Sequence, residues 1–218
     1  MNASSVARSF RLVAAIGYLI GLGACTTLRP GAPPHPTFYA IEGTRAATPA
    51  AVPAAAPPAA PTLVINPTHA AAGFDSPHII YVRETHKLEY FAHNEWVDPP
   101  ARMLAPLLVA ALGNGAVFRA VVLTPSAAAA DFRLDTEIVR LQHEFQTQPS
   151  RARFTLRAWL VEDKTRRVLA WREFDAAVPV ASEDPYGGVV AANRAVQTVL
   201  DELAAFCAEA ARSAPRAN

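Results

Sequence analysis

Six histidines and several carboxylate pairs are the residues of this chain that could perform acid–base or metal chemistry. None of the histidines has metal-ligand spacing to a cysteine, and none lies one helical turn from another ligand on a predicted helix. The pairs Glu162–Asp163 and Glu183–Asp184 fall at a turn and at a helix start, where solvation and capping explain acidic residues. The pattern therefore favours no metal, no cofactor and no catalytic dyad, and we do not expect an enzyme.

The remaining candidate for chemistry is Cys25, which ends an apolar N-terminal segment. Arg8 and Arg11 precede the uncharged run 12–23, which is too short for a spanning helix of about 20 residues but suits the core of a signal peptide. The tetrapeptide Leu22-Gly23-Ala24-Cys25 resembles the lipobox of bacterial lipoproteins, in which the thiol accepts a diacylglyceryl group. The alternative is an unmodified signal peptide with an accidental cysteine. We expect cleavage before Cys25 and acyl chains such as palmitate on it.

The charge of the mature chain indicates how it would associate with a membrane. Removal of residues 1–24 takes away two arginines and no acids, which leaves 18 basic and 19 acidic residues. A near-neutral domain lacks the basic patch that binds nucleic acid, and it attracts anionic lipid only weakly. Its attachment to a membrane must therefore be covalent or apolar. Thr26 stands where an Asp would favour retention in the inner membrane of enteric bacteria. We therefore predict the outer membrane, on its periplasmic face.

Cys207 is the second cysteine and lies within a predicted C-terminal helix. A disulfide with Cys25 is one interpretation in an oxidising compartment. If Cys25 is acylated, Cys207 is a lone thiol, most simply a small buried apolar residue.

The chain divides into four segments by composition. After the signal peptide (1–24), residues 25–36 form a Pro-rich tether that we expect to be disordered. Residues 37–61 hold a first strand near Phe38-Tyr39-Ala40-Ile41 and an Ala/Pro-rich linker, 44–61, that cannot bury a core. Residues 62–213 form the folded domain.

Within that domain the pattern predicts strands, a helix, four strands and a final helix. The first helix follows Asp98-Pro99-Pro100, with Asp98 as its cap. A slip of the apolar phase near Ile138 predicts a β-bulge in a long strand. The segment 182–185 caps the final helix, and the apolar stripe of that helix runs from Val189 to Ala210. The fold class is α+β, an antiparallel or mixed sheet with two main helices packed on it.

Trp96 follows Tyr90 and directly precedes the first helix. The simplest interpretation is packing in the core or against the first helical turn. The alternative is that Trp96 and Tyr90 contact a partner, and both are retained as candidate contact residues.

The order and spacing of these segments resemble those of the ABC-type transport auxiliary lipoprotein family. That family includes the outer-membrane lipoprotein of the paraquat-inducible (Pqi) system. The Ala/Pro stretch 44–61 departs from the family pattern. The segments that carry the resemblance are Cys25, Phe38-Tyr39-Ala40-Ile41, Ile79-Ile80-Tyr81-Val82-Arg83, Leu88-Glu89-Tyr90, Trp96, Ala130-Asp131-Phe132-Arg133-Leu134-Asp135, Phe174 and Ala191-Ala192-Asn193-Arg194-Ala195.

The resemblance implies a non-enzymatic periplasmic component that works with an inner-membrane ABC transporter and a mammalian-cell-entry (MCE) domain protein. Together these move lipids or other hydrophobic molecules between membranes, and some relatives assemble into rings, which implies a homo-oligomer. The alternative from the residues is a stand-alone lipid-binding carrier or chaperone with a pocket between sheet and helices.

Overall fold

The computed structural model describes residues 35–42, 57, 59–115 and 117–214. Cys25, the signal peptide and most of the stretch 44–61 lie outside the described residues. The described strands are β1 (Thr37–Tyr39), β2 (Thr62–Ile65), β3 (His69–Ala70), β4 (His78–Val82), β5 (Glu89–Trp96), β6 (Ala120–Leu123), β7 (Phe132–Glu144), β8 (Arg151–Glu162) and β9 (Val168–Pro179), and the helices are α1 (Pro100–Gly113) and α2 (Pro185–Ser213).

Strand β7 is the centre of the sheet because it is hydrogen-bonded along both of its edges. One edge pairs antiparallel with β8, which pairs antiparallel with β9. The other edge is shared by three short parallel strands, with β2 at the start of β7, β3 in its middle and β4 at its end. β6 extends the sheet beside β2, whereas β5 and then β1 extend it beside β4. The sheet is therefore mixed.

A β-bulge keeps the apolar side chains of β7 on one face along its whole length. Leu134 and Ile138 are buried in the first half of the strand, whereas Leu141 and His143 are buried in the second half, in the opposite phase. The register with β8 shifts between Ile138 and Arg140, as the phase slip predicts. Without the extra residue, the second half would turn its apolar side chains to the opposite face.

Both helices pack on one face of the sheet, where the core lies. α2 lies along β8 and β9 and also contacts α1. Its buried stripe includes Val196, Leu200 and Leu203, and its first turn is capped by Asp184, whose Oδ1 accepts a hydrogen bond from the Gly187 amide at 2.7 Å. The α+β class and the stripe of the last helix are thus confirmed.

Three features differ from the sequence-based expectations. Pro99 occupies the N-cap of α1 without a side-chain hydrogen bond, so the prediction of Asp98 as the cap is wrong. Asp98 instead lies 3.3 Å from Arg102 Nη1, one helical turn further on, as a salt bridge. Strand β5 continues beyond the predicted end at Phe91 to Trp96, and the two-residue strand β3 was not predicted at all. Both the end of β5 and β3 lack the apolar alternation that indicates a strand. β1 pairs parallel with β5 at the end of the sheet.

Candidate partner-binding surface

The face of the sheet opposite the helices, here called the open face, is polar on its long strands. Side chains alternate between the two faces of a strand, so the residues between the buried positions of β7 and β8 point away from the helices. The register places Asp135 beside Trp159 and Glu137 beside Arg157 on this face, and Trp159 beside Trp171 of β9. Charged and aromatic side chains of three strands therefore meet on one surface.

Arg153 joins β7 and β9 across one part of the open face. Its Nη2 lies 2.8 Å from Asp175 Oδ2, and its Nη1 lies 3.8 Å from Glu144 Oε1. Hydrogen bonds, first from Arg153 and then from Thr155, hold the pKa of Asp175 below its ordinary value. The carboxylate is consequently ionised over the whole neutral range.

Arg157 repeats this arrangement four residues further along β8, on the same face of the sheet. Its Nη1 lies 3.1 Å from Glu137 Oε2, and its Nη2 lies 2.8 Å from Glu173 Oε2. Ion pairs that are open to water stabilise a fold weakly because solvent and salt screen them. Their main effect is to fix the directions of the charges that the surface presents.

Trp159 and Trp171 form the apolar part of this charged surface. They are direct neighbours in the β8–β9 pair, and Trp171 is 63% exposed. The Arg157 guanidinium lies 5.9 Å from the Trp159 ring centroid, so the indole pair adjoins the ion pairs. We call Trp159 and Trp171 the tryptophan pair. Exposed aromatic residues next to arginines are the composition of interface hot spots. The sequence analysis missed the pair, although the alternation of β8 places Trp159 on the face opposite Leu160.

A second exposed group, here called the aromatic patch, consists of Phe38, His78 and Tyr90. Tyr90 is 56% exposed, and its ring stacks on that of His78 with centroids 4.3 Å apart. Phe38 is exposed on β1 in register with Glu95, which in turn pairs with His78. The structure therefore leaves the candidate contact residue Tyr90 at the surface with aromatic neighbours.

Trp96, the other candidate contact residue, lies in the core. Its side chain is only 2% exposed and packs near Ile79 and Leu141 under α2, beside Val189. Its backbone amide donates a hydrogen bond to the Pro77 carbonyl at 2.7 Å. The burial agrees with the packing interpretation, and it leaves Tyr90 alone as a surface contact candidate.

His143, Ser150 and Glu183 form a polar network that the sequence did not indicate. His143 Nε2 lies 2.7 Å from Ser150 Oγ, and the Ser150 amide donates to Glu183 Oε1 at 2.9 Å. The network ties the end of β7 to the start of α2, where Gly188 lets the helix approach. A Cβ at Gly188 would lie 2.6 Å from His143 Nδ1. The β7–β8 hairpin brings Ser150 opposite the end of β7, and that pairing is the signal that would have revealed the contact.

This network resembles a nucleophilic site in composition but not in arrangement. His143 and Ser150 are both buried, and His143 Nδ1 has no hydrogen-bond partner among the residues that the structure describes. Glu183 accepts from the serine backbone rather than orienting the imidazole, as a catalytic carboxylate would. The geometry therefore fits a structural link between strand and helix.

Cys207 is fully buried in the stripe of α2. Burial raises the pKa of its thiol to about 12, so the thiol is protonated at neutral pH. A protonated, inaccessible thiol is a poor nucleophile and metal ligand. This confirms Cys207 as a small buried apolar residue.

The described part of the chain carries neither a cluster of metal-ligating side chains nor a helix that could span a bilayer. Within residues 35–42, 57, 59–115 and 117–214, no three His, Cys, Asp or Glu side chains are grouped so that they could hold a metal ion. None of the helices in that same part has the length and apolarity needed to cross a bilayer.

The space between the start of α2 and the sheet beneath it is small. A cavity of about 10 Å³ lies between Trp96, His143 and Gly188. That volume is close to the minimum for a single water molecule. It is far below the several hundred cubic ångströms of a pocket for a lipid-sized ligand.

Comparison with known proteins identifies the family. The family model described as "ABC-type transport auxiliary lipoprotein component" matches residues 39–204, which span the sheet and most of α2. The chain belongs to this family. No curated protein matches the sequence of this auxiliary lipoprotein.

Solved structures support the same assignment of the fold. Protein XCC0632 from Xanthomonas campestris, of family-model DUF330, is 25% identical to this auxiliary lipoprotein, with a TM-score of 0.70 over 81% of this chain and 97% of its own. The hypothetical protein CT253 from Chlamydia trachomatis is 9% identical, with a TM-score of 0.53 over 72% of this chain and 100% of its own. The latter similarity shows the fold alone.

The family match covers the features of the open face. The tryptophan pair, the arginine ion pairs and Tyr90 lie within residues 39–204, whereas Phe38 lies one residue before that range and Cys25 well before it. These groups are therefore among the exposed residues that the family match includes.

The buried His143 predicts a pH dependence of stability. Burial lowers the pKa of His143, although Glu183 and Asp184 nearby partly oppose the shift. The folded state therefore holds His143 neutral where the unfolded chain, with an ordinary pKa of 6.5, takes up a proton. Stability should fall as the pH drops below about 6.5, by at most about 1.4 kcal/mol per pH unit for one proton.

Urea unfolding between pH 8 and pH 5 measures this effect. The variant His143→Gln should lose less stability between pH 6.5 and 5 than the unmodified protein, whatever its absolute stability. His69→Gln changes an exposed histidine and should leave the pH dependence as it was. Equal pH dependence of the His143→Gln variant and the unmodified protein would contradict the assignment.

Proposed function

We propose that this protein is a non-enzymatic, periplasm-facing lipoprotein that serves an MCE-type ABC transport system moving lipid or other hydrophobic molecules between membranes. The observation that carries the proposal is the family match over residues 39–204 of a domain with a closed core. Its partners are an MCE-domain protein and an inner-membrane ABC transporter. Its role is positional: it holds a docking surface at a fixed membrane.

Acyl chains on Cys25 provide the membrane attachment in this proposal. The segment Leu22-Gly23-Ala24-Cys25 supports it, and Thr26 supports the outer membrane on its periplasmic face. A single acyl chain binds a membrane marginally, whereas two or more anchor stably. Because the mature chain is nearly neutral, the acyl chains have to supply the affinity that charge does not.

The size of the enclosed cavity and the composition of the exposed surface support a docking role over the carriage of a cargo. The space under α2 beside His143 amounts to about 10 Å³, far below the several hundred cubic ångströms that a carrier's cavity needs, and the groove of about 460 Å³ beside the end of α2 is open to solvent. The open face instead presents the tryptophan pair beside the ion pairs of Arg153 and Arg157. We propose this surface as the receptor for the end of the transport conduit.

Self-association is part of the proposal, because the aromatic patch is an exposed apolar surface on the other side of β7 from the tryptophan pair, which the proposal assigns to the conduit. The tryptophan pair lies on β8 and β9, and the aromatic patch lies on β1, β4 and β5. A contact between two different surfaces of identical chains is head-to-tail, and it closes into a ring when the rotation permits.

The alternative is a stand-alone lipid carrier or chaperone. One observation favours it: an open groove of about 460 Å³ between β9 and the end of α2, which falls within the range of ligand pockets. Binding of phospholipid without any MCE protein would select this alternative.

The variant Cys25→Ser tests the anchor, because serine cannot take up the thioether-linked diacylglyceryl group. We expect this variant to leave the membrane fraction and appear in the periplasmic fraction after ultracentrifugation. The matched control is Cys207→Ala, which removes the buried thiol and should remain in the membrane fraction. Retention of the Cys25→Ser variant on membranes would overturn the anchoring proposal.

Co-purification from detergent-solubilised envelopes tests the docking surface. The full-length protein should retain an MCE-domain protein, and Trp171→Ala should reduce the recovery of that protein about tenfold, as expected for an interface hot spot. Tyr186→Ala is the control, because Tyr186 is also 63% exposed but lies at the start of α2. Equal recovery by both variants would exclude the open face as the docking surface.

A further inference from the structure

The free edge of β9 borders a groove that belongs neither to the open face nor to the core. The groove measures about 460 Å³ and runs between the first half of β9 and the last turns of α2. Its apolar lining includes Leu169, Ala170, Phe206 and Ala210, and its charged lining consists of Arg167, Arg172 and Glu209, so that arginines outnumber carboxylates. The groove is thus lined by both a strand edge and a helix side.

Within the described ranges, the backbone of β9 has no hydrogen-bonded strand on its outer side. Among the described residues β9 pairs with β8 alone, and no other described backbone group bonds to its interior residues. The register places Ala170 opposite Leu160 and Val168 opposite Val161, so Leu169 is an extra residue that bulges at the groove. An unpaired strand edge presents a row of amide and carbonyl groups that can template another strand.

The arginines of the groove differ from those of the open face in their partners. Arg153 and Arg157 each contact two carboxylates, whereas in the described part of the chain neither Arg167 nor Arg172 has a carboxylate oxygen within 4.0 Å. The Arg172 guanidinium lies 5.4 Å from the ring centroid of Phe206, beside the groove. A guanidinium in this setting is available to a carboxylate from outside the chain.

We propose that this groove binds an extended acidic segment of a partner protein, which adds to β9 as a further strand and places its carboxylates on Arg172 and Arg167. The unpaired strand edge favours a peptide ligand over a lipid, because an acyl chain cannot form hydrogen bonds with backbone amides and carbonyls. Alternate side chains of the added strand would face the helix side, where the Arg172 guanidinium lies beside Phe206. The carboxylates therefore occupy these alternate positions, and their methylene groups pack on Phe206 and Ala210. This inference goes beyond the docking function and holds whichever partner supplies the segment.

Fluorescence anisotropy with synthetic peptides tests the proposal on the acylated full-length protein in detergent. The probe is a fluorescein-labelled octapeptide of alternating valine and glutamate. One comparison peptide carries lysine in place of glutamate, and another has alternate backbone amides N-methylated, which blocks addition to a strand edge. We expect saturable binding of the acidic probe and none of the two comparison peptides.

Substitutions then locate the binding. Arg172→Glu should weaken the acidic probe at least about tenfold, the effect of losing a charge-assisted hydrogen bond. Arg194→Glu, on the exposed side of α2, should not weaken it. Ala210→Trp should block the groove, whereas Ala205→Trp on the exposed side of the same helix should not. Thermal melting of each variant verifies that it is folded.

Several results would overturn the proposal. These are the absence of saturable binding, equal binding of the lysine or N-methylated peptide, and unchanged binding by a folded Arg172→Glu variant. Competition by phosphatidylglycerol micelles, together with equal binding of the N-methylated probe, would assign the groove to lipid instead. Failure to recover an MCE-domain protein would refute the docking function but would leave these peptide results unaffected.

Discussion

The structure depends on the hydrogen bonding of β7 along both of its edges. β8 pairs with one edge as an antiparallel partner, and the short strands β2, β3 and β4 occupy the other edge in turn. The apolar phase of β7 slips midway along the strand, and the bulge between Ile138 and Arg140 keeps the apolar side chains of both halves on the same face. α2 can then cover a continuous surface of β7, β8 and β9. Everything at the surface, from the tryptophan pair to the groove beside β9, is positioned by this arrangement.

Because the helices cover only one face of the sheet, that face forms the core and the other face is free to contact a partner. The covered face is filled by leucine, phenylalanine and alanine, and the space beside His143 suffices for about one water molecule. The open face is free to carry charges in fixed positions, because Arg153 and Arg157 are each held by two carboxylates. An auxiliary component with a closed interior and an ordered surface is suited to hold a partner in place. It is less suited to enclose a cargo.

Sequence reasoning succeeded where a strong period or a local contact sets the structure. The stripe of α2 followed from helical spacing, the start of α2 followed from the capping segment 182–185, and the bulge of β7 followed from a phase slip. β3 and the end of β5 were missed because tertiary pairing makes them strands, without an apolar alternation of their own. The cap expected at Asp98 was wrong because its side chain contacts Arg102 instead. The tryptophan pair, the His143–Ser150 contact and the groove beside β9 depend on which strands become neighbours, and that information is non-local.

In-cell photocrosslinking from position 171 is the most direct test of the docking account, because Trp171 is the most exposed part of the tryptophan pair. A photoreactive amino acid at Trp171 of the full-length protein is activated in living cells, and the covalent products are identified by mass spectrometry. The account predicts a crosslink to an MCE-domain protein, and none to that protein from position 186, which is equally exposed at the start of α2. Crosslinks from position 171 to phospholipid alone would contradict it.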